Sequence, residues 1–183
     1  MYHDNNTGGT KTLLEVMSEF SVRKIVFSSS CTVYGEPDVV PVDESSPFKK
    51  AESPYGQTKQ DCEGLITEQC SVFNDFSSAL LRYFNPIGAH PSAIIGESPS
   101  GVPDNLIPFI CQSVAGLRDP LTVFGTDYPT PDGSCVRDYL HVMDLADAHV
   151  LALENLTSGR CRSFNLGTGT GTSVLEVISS FKE

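Results

Sequence analysis

A tyrosine and a lysine four residues apart are the first feature of the sequence that could perform acid–base chemistry. Tyr55 and Lys59 lie in the stretch "SPYGQTKQD", and a spacing of i, i+4 puts both side chains on one face of a helix. A phenol is a poor base at neutral pH because its pKa is about 10, but a nearby ammonium group stabilises the phenolate and lowers that pKa. The pattern therefore predicts a tyrosine base that a lysine tunes.

The same pair is also compatible with two ordinary residues on a solvated helix face. The chain has six tyrosines, and a Y-x-x-x-K match is expected about 0.2 times by chance in this composition. The context favours chemistry. Ser53 and Pro54 are typical of the cap and first residue of a helix, and a strand upstream ends in Ser28, Ser29 and Ser30, whose hydroxyls could reach both a substrate and the phenol.

The elements that must position these residues alternate between helix and strand. Apolar residues at helical spacing predict helices, and short β-rich runs predict strands. The predicted helices cover 10–20, 54–73, 105–116, 143–156 and 173–183, and the predicted strands 23–30, 77–86, 121–125, 135–142 and 162–167. This alternation predicts an α/β fold with a mainly parallel sheet and helices on both faces. Ligands bind such sheets beyond the carboxyl ends of the strands.

Composition excludes several classes of function. The formal net charge of −11 argues against nucleic-acid or anionic-membrane partners. The sequence has no run of about 18 apolar residues, so no membrane span is predicted. The first residues, "MYHDNNTGGTK", lack the apolar core of a secretory leader. The six scattered cysteines without C-x-x-C predict reduced thiols in a cytoplasmic protein. The four histidines lack metal-binding spacing, so no metal is predicted.

The glycine-rich stretch "NLGTGTGTS" resembles a dinucleotide-binding loop only superficially. It follows a predicted strand and precedes a helix, but the spacing differs from the G-x-G-x-x-G pattern that approaches a pyrophosphate. Ser173 and Glu176 instead form an S-x-x-E capping box for the last helix. We expect a structural turn here.

Longer segments carry a more specific resemblance. "FSSSCTVYGEP", "SPYGQTK", "LLRYFNPIGAHPS", "GVPDNLIPFI", "VFGTDYPTPDGSCVRDYLHVMDLADAH" and "FNLGTGTGTSVLEV" resemble successive motifs of the UDP-glucose 4-epimerases, which are extended short-chain dehydrogenase/reductases. The resemblance implies a Rossmann-like sheet, a bound NAD, UDP-galactose and UDP-glucose as substrates, and a homodimer. It implies residues 1–82 as the remainder of the NAD-binding domain, 83–140 as mostly substrate-binding segments, and 141–183 as a return to the Rossmann-like sheet.

The family mechanism assigns roles to individual residues. By resemblance, Tyr55 takes the proton from the sugar 4-hydroxyl while hydride passes from C4 to NAD; the 4-keto sugar turns over, and hydride returns to its opposite face. Lys59 would hold the nicotinamide ribose, and Ser30 would bond the 4-oxygen. The resemblance also places Asn5 or Asn6, Ser28 and Tyr83 near the cofactor, and Thr32, Asn85, Asn105, Leu106, Thr122, Val123, Phe124 and Arg137 near the UDP-sugar.

Simpler interpretations remain for some of these residues. Phe124 could be an ordinary core residue, and Arg137 could form a surface ion pair with Asp138 of little energetic weight. Asp104 stands where the family usually has asparagine. The family's G-x-x-G-x-x-G loop has no counterpart in the sequence, so we expect a chain truncated at both ends that, expressed alone, neither retains NAD nor epimerises UDP-galactose.

Two other functions compete with an epimerase. One is another NAD-dependent nucleotide-sugar enzyme, such as a 4,6-dehydratase or a decarboxylase. A dehydratase would need acidic residues near the serine strand end, which "SSSCTVYG" lacks. The other is a non-catalytic truncated paralogue that only binds proteins. The intact Ser30, Tyr55 and Lys59 argue against it, whereas the missing cofactor loop argues for it.

Overall fold

The computed structural model describes residues 1–182 and divides the chain into two compact units. Unit 1 comprises Met1–Phe84 and Ala146–Leu166; unit 2 comprises Asn85–Leu145 and the residues from Gly167 onward. The α-helices are α1 (Gly9–Glu19), α2 (Pro54–Val72), α3 (Leu106–Val114), α4 (Val142–Glu154) and α5 (Val174–Ser180). The strands are β1 (Lys24–Ser28), β2 (Ser77–Tyr83), β3 (Asn85–Ile87), β4 (Val136–His141), β5 (Cys161–Leu166) and β6 (Gly171–Ser173).

Unit 1 is built on a parallel sheet in the order β1-β2-β5. Alternate residues of a strand face opposite sides of the sheet, and Leu80 packs on one side with Ile66 of α2 and Leu14 of α1. On the other side, His149 of α4 contacts Ser28. Helices therefore cover both faces, and the predicted Rossmann-like α/β fold is confirmed.

The start of α2 follows from its local sequence. The Ser53 hydroxyl accepts a hydrogen bond from the Gly56 backbone N–H at 3.0 Å, and Pro54 occupies the first helical turn. This satisfies one of the backbone donors that a helix start leaves without a partner. Tyr55 and Lys59 thus lie in the first turns of a helix whose start is fixed, as the sequence predicts.

Unit 2 has a mixed sheet in the order β3-β4-β6, with β3 parallel and β6 antiparallel to β4. Pro86 does not stop the preceding strand as predicted; β2 ends at Tyr83, and Pro86 lies inside the edge strand β3, where the missing N–H is tolerated. The pairing of β6 with β4 also places residues 167–182 in unit 2, whereas the sequence interpretation returned them to the Rossmann-like sheet.

The predicted strand at residues 121–125 does not form. The segment has no regular secondary structure, and Phe124 is 86% exposed, so it is not the core residue that "LTVFG" suggested. Its apolar residues lie between Pro120 and Gly125, which has a φ of 80°, and the run is too short to hold a strand without a pairing partner. In residues 1–182, no helix is long and apolar enough to cross a bilayer.

Replacing Ile66 by alanine tests the core of unit 1. Ile66 is fully buried against Leu14, Met17, Phe76 and Leu80, so we expect Ile66→Ala to lower the free energy of unfolding by about 2–5 kcal/mol because it leaves a cavity. Urea denaturation followed by circular dichroism measures this.

Val72→Ala is the matched control. Val72 lies on the same helix but is 63% exposed, so its truncation should change stability by no more than about 0.5 kcal/mol. Equal losses in the two variants would contradict the packing described for Ile66.

Candidate functional site

The side chains predicted to perform chemistry in unit 1 converge at the carboxyl ends of its strands. Ser30 is buried directly after β1, where it caps the short 3-10 helix Cys31–Tyr34 by accepting a hydrogen bond from the Thr32 N–H at 3.2 Å. Its hydroxyl is also a hydrogen-bonding neighbour of the Tyr55 phenol that lowers the pKa of this group. Tyr55 is half-buried, and its ring meets that of Tyr2 edge-on at 6.0 Å between centroids.

The protein raises the pKa of the Tyr55 phenol. Burial is the main cause, the nearby Tyr83, Cys31 and Tyr2 act in the same direction, and the hydrogen bond from Ser30 opposes them. Lys59 is not among the groups that shift this pKa. Burial therefore dominates the pKa of Tyr55 in this structure, although the Lys59 ammonium lies over the ring at 5.4 Å from its centre, and the lowering of this pKa by Lys59 stays a prediction.

Lys59 is held by the end of strand β1. Its ammonium donates a hydrogen bond to the Ser28 carbonyl at 2.8 Å and lies 5.0 Å from the centre of the Phe27 ring and 5.4 Å from that of Tyr55. Burial lowers the pKa of Lys59. An ammonium group has three donors, so after the bond to Ser28 two remain for other partners.

Tyr83 and Ser28 are joined through a histidine that the sequence analysis missed. The Ser28 hydroxyl and His149 Nε2 are 2.9 Å apart, and the rings of His149 and Tyr83 are 6.3 Å apart between centroids. His149 lies 121 residues after Ser28, so no local spacing connected them. The contact fixes the ends of β1 and β2 against α4.

A buried ion pair underlies the same strand ends. Arg82 Nε and Nη2 donate to Glu63 at 3.0 and 2.7 Å, and the Ser29 hydroxyl donates to the same carboxylate at 2.5 Å. Arg82 Nη1 donates to the Tyr34 hydroxyl, which donates to Asn165 at 2.6 Å. Glu63 stands four residues after Lys59, and that spacing was the one sequence signal that could have drawn attention to it.

The N-terminal segment brings Asn6 rather than Asn5 to helix α2. Asn6 donates its side-chain amide to the Thr58 hydroxyl at 3.0 Å, while Asn5 is exposed. The Oγ1 atoms of Thr7 and Thr32 are buried without a hydrogen-bond partner among the residues that the structure describes. Thr32 adjoins Ser30, so it supplies the strand end with an unused polar atom.

The other predicted substrate residues all belong to unit 2. Asn85 opens β3 and is half-buried. Asn105 precedes α3, but its side chain donates to Glu97 at 2.7 Å instead of capping the helix. Leu106 is the first residue of α3, Thr122 and Val123 share the irregular segment with Phe124, and Arg137 is exposed on β4.

The glycine-rich turn of unit 2 binds a carboxylate of the protein itself. Asp138 accepts hydrogen bonds from the Thr168 N–H at 2.9 Å, the Thr168 hydroxyl at 2.8 Å and the Gly169 N–H at 2.8 Å. The capping box of Ser173 and Glu176 is also present. The prediction of a structural turn is confirmed, and Asp138 bonds to this turn rather than to Arg137, whose guanidinium donates to the Val136 carbonyl at 3.0 Å.

These residues fit a nicotinamide cofactor better than a metal. Lys59 retains unused donors, Thr32 has a buried hydroxyl without a partner, and Tyr83 offers an aromatic ring, which together suit a ribose and a flat heterocycle. Within residues 1–182 no group of three or more histidine, cysteine or acidic side chains could hold a metal ion.

Comparisons with known proteins agree with this chemistry. A family profile described as "NAD dependent epimerase/dehydratase family" matches residues 1–167. The chain is 49% identical over its whole length to the UDP-glucose 4-epimerase of Dictyostelium discoideum, covering 53% of that protein, and 52% identical to that of Bacillus subtilis, covering 54%. It thus spans about half the length of these curated relatives.

Solved structures show the same likeness. The structure of UDP-glucose 4-epimerase from Bifidobacterium longum in complex with NAD+ and UDP matches with a TM-score of 0.94 and 44% identity, over 98% of this chain and 54% of that one. The dTDP-glucose 4,6-dehydratase of Bacillus anthracis in complex with NAD matches more weakly, with a TM-score of 0.75 and 26% identity, over 97% of this chain and 51% of that one.

Replacing Asp138 by alanine tests the carboxylate-filled turn. We expect the amide hydrogens of Thr168 and Gly169 to exchange with solvent faster in Asp138→Ala, because both lose their acceptor. Amide exchange measured by NMR checks this, with Asp104→Ala, an exposed loop substitution, as control. Unchanged exchange at both amides would show that the carboxylate does not hold the turn.

Proposed function

Because the chain belongs to the NAD dependent epimerase/dehydratase family, we propose that it carries the proton-transfer part of the active site of a UDP-glucose 4-epimerase. The observation that carries the proposal is the meeting of Ser30, Tyr55 and Lys59 at the ends of β1 and β2. The identity of about half to UDP-glucose 4-epimerases over the whole chain supports UDP-galactose and UDP-glucose as the substrates.

The proposed chemistry begins at the Tyr55 phenol. Tyr55 accepts the proton of the sugar 4-hydroxyl as the C4–H bond breaks, and it returns a proton to the 4-oxygen when the sugar is reduced on its opposite face. Bound NAD would supply the hydride acceptor and, when oxidised, a positive charge that favours the phenolate. Ser30 holds the 4-oxygen and stabilises the phenolate by its hydrogen bond, which lowers the pKa of Tyr55.

The remaining site residues keep the roles that the resemblance gives them, as part of the proposal. Lys59 holds the nicotinamide ribose, and Tyr83, Ser28 and Asn5 lie near the cofactor. The substrate contact proposed in unit 1 is Thr32. The substrate contacts proposed in unit 2 are Asn85, Asn105, Leu106, Thr122, Val123, Phe124 and Arg137.

A dehydratase is less well supported by the same region. Elimination of water would use an acid near Ser30, but the turn Cys31–Tyr34 contains no carboxylate, and the buried Glu63 is occupied by Arg82 and Ser29. The product separates the two reactions, since an epimerase retains the 6-hydroxyl of the sugar and a 4,6-dehydratase removes it.

The Tyr55→Phe substitution tests the proposed base. The chain is expressed alone and also completed with the remaining length of the Bacillus subtilis relative, and NMR of the anomeric protons measures conversion of UDP-galactose to UDP-glucose. In the completed protein we expect Tyr55→Phe to lower turnover by about 100- to 10,000-fold, because the proton acceptor is lost, while the affinity for UDP is retained.

Tyr128→Phe provides the matched control, since it removes a phenol from an exposed loop of unit 2. Equal turnover in Tyr55→Phe and the unsubstituted protein would reject the tyrosine as base. Absence of turnover in the completed, folded and UDP-binding protein would reject the epimerase function. Turnover by the 183-residue chain alone would contradict the expectation drawn from its sequence.

We also propose that the full-length protein is a homodimer that uses helix α1. Leu13, Val16 and Phe20 are spaced i, i+3 and i+7, which places them on one face of the helix, and they are 50%, 44% and 70% exposed. Burial of such an apolar stripe against a second copy would remove it from water.

A charge placed in this stripe tests the dimer. Sedimentation velocity of the completed protein should show a dimer that Leu13→Glu converts to a monomer, because a carboxylate would be buried in the contact. Thr12→Glu adds the same charge at an exposed neighbouring position and should leave the dimer intact. A monomeric unsubstituted protein, or a dimer that resists Leu13→Glu, would refute this interface.

A further inference from the structure

We infer that Glu63 is a positioning residue that aligns Ser30 and Tyr83 with Tyr55 through its contacts to their neighbours. The carboxylate touches none of these three side chains in the contacts described. It accepts hydrogen bonds from Ser29 at 2.5 Å and from Arg82 at 2.7 Å. Each of these partners immediately precedes a site residue in an extended segment.

A hydrogen bond to one side chain of an extended segment also fixes the direction of the next side chain, because successive side chains point to opposite sides. Successive side chains of an extended backbone point in opposite directions, and Ser30 has extended angles, with φ of −156° and ψ of 150°. Binding Ser29 to Glu63 therefore turns the Ser30 side chain away from Glu63. The same logic applies to β2, where Arg82 points toward Glu63 and Tyr83 toward His149.

Helix α2 sets the position of Glu63, which we call the anchor, relative to Tyr55 and Lys59. Tyr55, Lys59 and Glu63 are spaced i, i+4 and i+8, so they lie along one face of α2. Glu63 and Arg82 have side chains that are only 4% and 7% exposed, and a carboxylate that accepts bonds from a planar guanidinium at both oxygens has a defined orientation. The base, its lysine and the anchor thus share one rigid element.

The surroundings of the Tyr55 phenol predict how its pKa responds when the contacts of Glu63 are lost. The groups that face its phenol are Lys59 on the same helix, Ser30 and Cys31 from the strand end, Tyr83 from β2 and Tyr2 from the N-terminal segment. Of these, the Ser30 hydrogen bond lowers the pKa of Tyr55. Loss of the anchor should weaken that bond and raise the pKa further.

The Ser29→Ala substitution tests the anchor with the ion pair left in place. Tyrosine labelled with carbon-13 at Cζ is titrated by NMR in the 183-residue chain, and Tyr55→Phe assigns the signal. We expect the titration midpoint of Tyr55 to move to higher pH in Ser29→Ala. Ser77→Ala is the control, because it removes an equally buried serine hydroxyl at the opposite end of the sheet, and should leave the midpoint unchanged.

Glu63→Gln distinguishes positioning from a simple effect of charge. Removing a negative charge, or leaving Arg82 as an unpaired cation, would favour the phenolate and move the midpoint to lower pH, whereas loss of positioning moves it higher. In a Ser30→Ala background, Ser29→Ala should add no further rise, because the bond it disturbs is already absent. An unchanged or lowered midpoint in Ser29→Ala would overturn the inference, whether or not Glu63→Gln folds.

The catalytic consequence rests on the proposed function and is measured separately. In the completed protein, Ser29→Ala should lower kcat about 10- to 100-fold with little change in KM, as expected for misplaced reacting groups. A shifted midpoint in a protein without epimerase turnover would sustain the positioning and reject the proposed function. A shifted midpoint with unchanged kcat would overturn the catalytic consequence.

Discussion

The Glu63–Arg82 ion pair is the interaction on which the arrangement of unit 1 depends, because one carboxylate joins helix α2 to the ends of two strands. Such a pair contributes little net stability, since both charges lose their water, but removing one partner costs about 3–5 kcal/mol. Its value lies in selecting one geometry. An apolar contact would allow the helix to slide along the sheet, whereas two directed bonds to a planar guanidinium do not.

The two units use the same physical device in different ways. In unit 1 a buried carboxylate orders a strand end beside the candidate base, and in unit 2 Asp138 fills a turn rich in glycine and backbone donors. A turn with converging N–H groups binds any nearby anion. Its glycines therefore indicate a cradle for negative charge without revealing whether the charge belongs to a ligand or to the protein.

Local rules explain what could be predicted from the sequence. The caps at Ser53 and Ser173 depend on residues within one helical turn, and both form as expected. The strand predicted at residues 121–125 failed because its run lacks a pairing partner. The partnership of Glu63 with Arg82 and of Ser28 with His149 arises only when the chain has folded, and the pKa of Tyr55 depends on a burial that no spacing of residues encodes.

The interleaving of the two units also constrains how the chain is made. Strand β2 pairs with β5, and Ser78 contacts Cys161 across 83 residues of sequence. A ribosome that synthesises the chain from its N-terminus releases all of residues 85–145 before β5 exists, so the central strand β2 waits with one edge open. Unpaired strand edges promote association with other chains. During rapid synthesis, a chaperone that binds the open edge of β2 until β5 emerges would therefore reduce association with other chains.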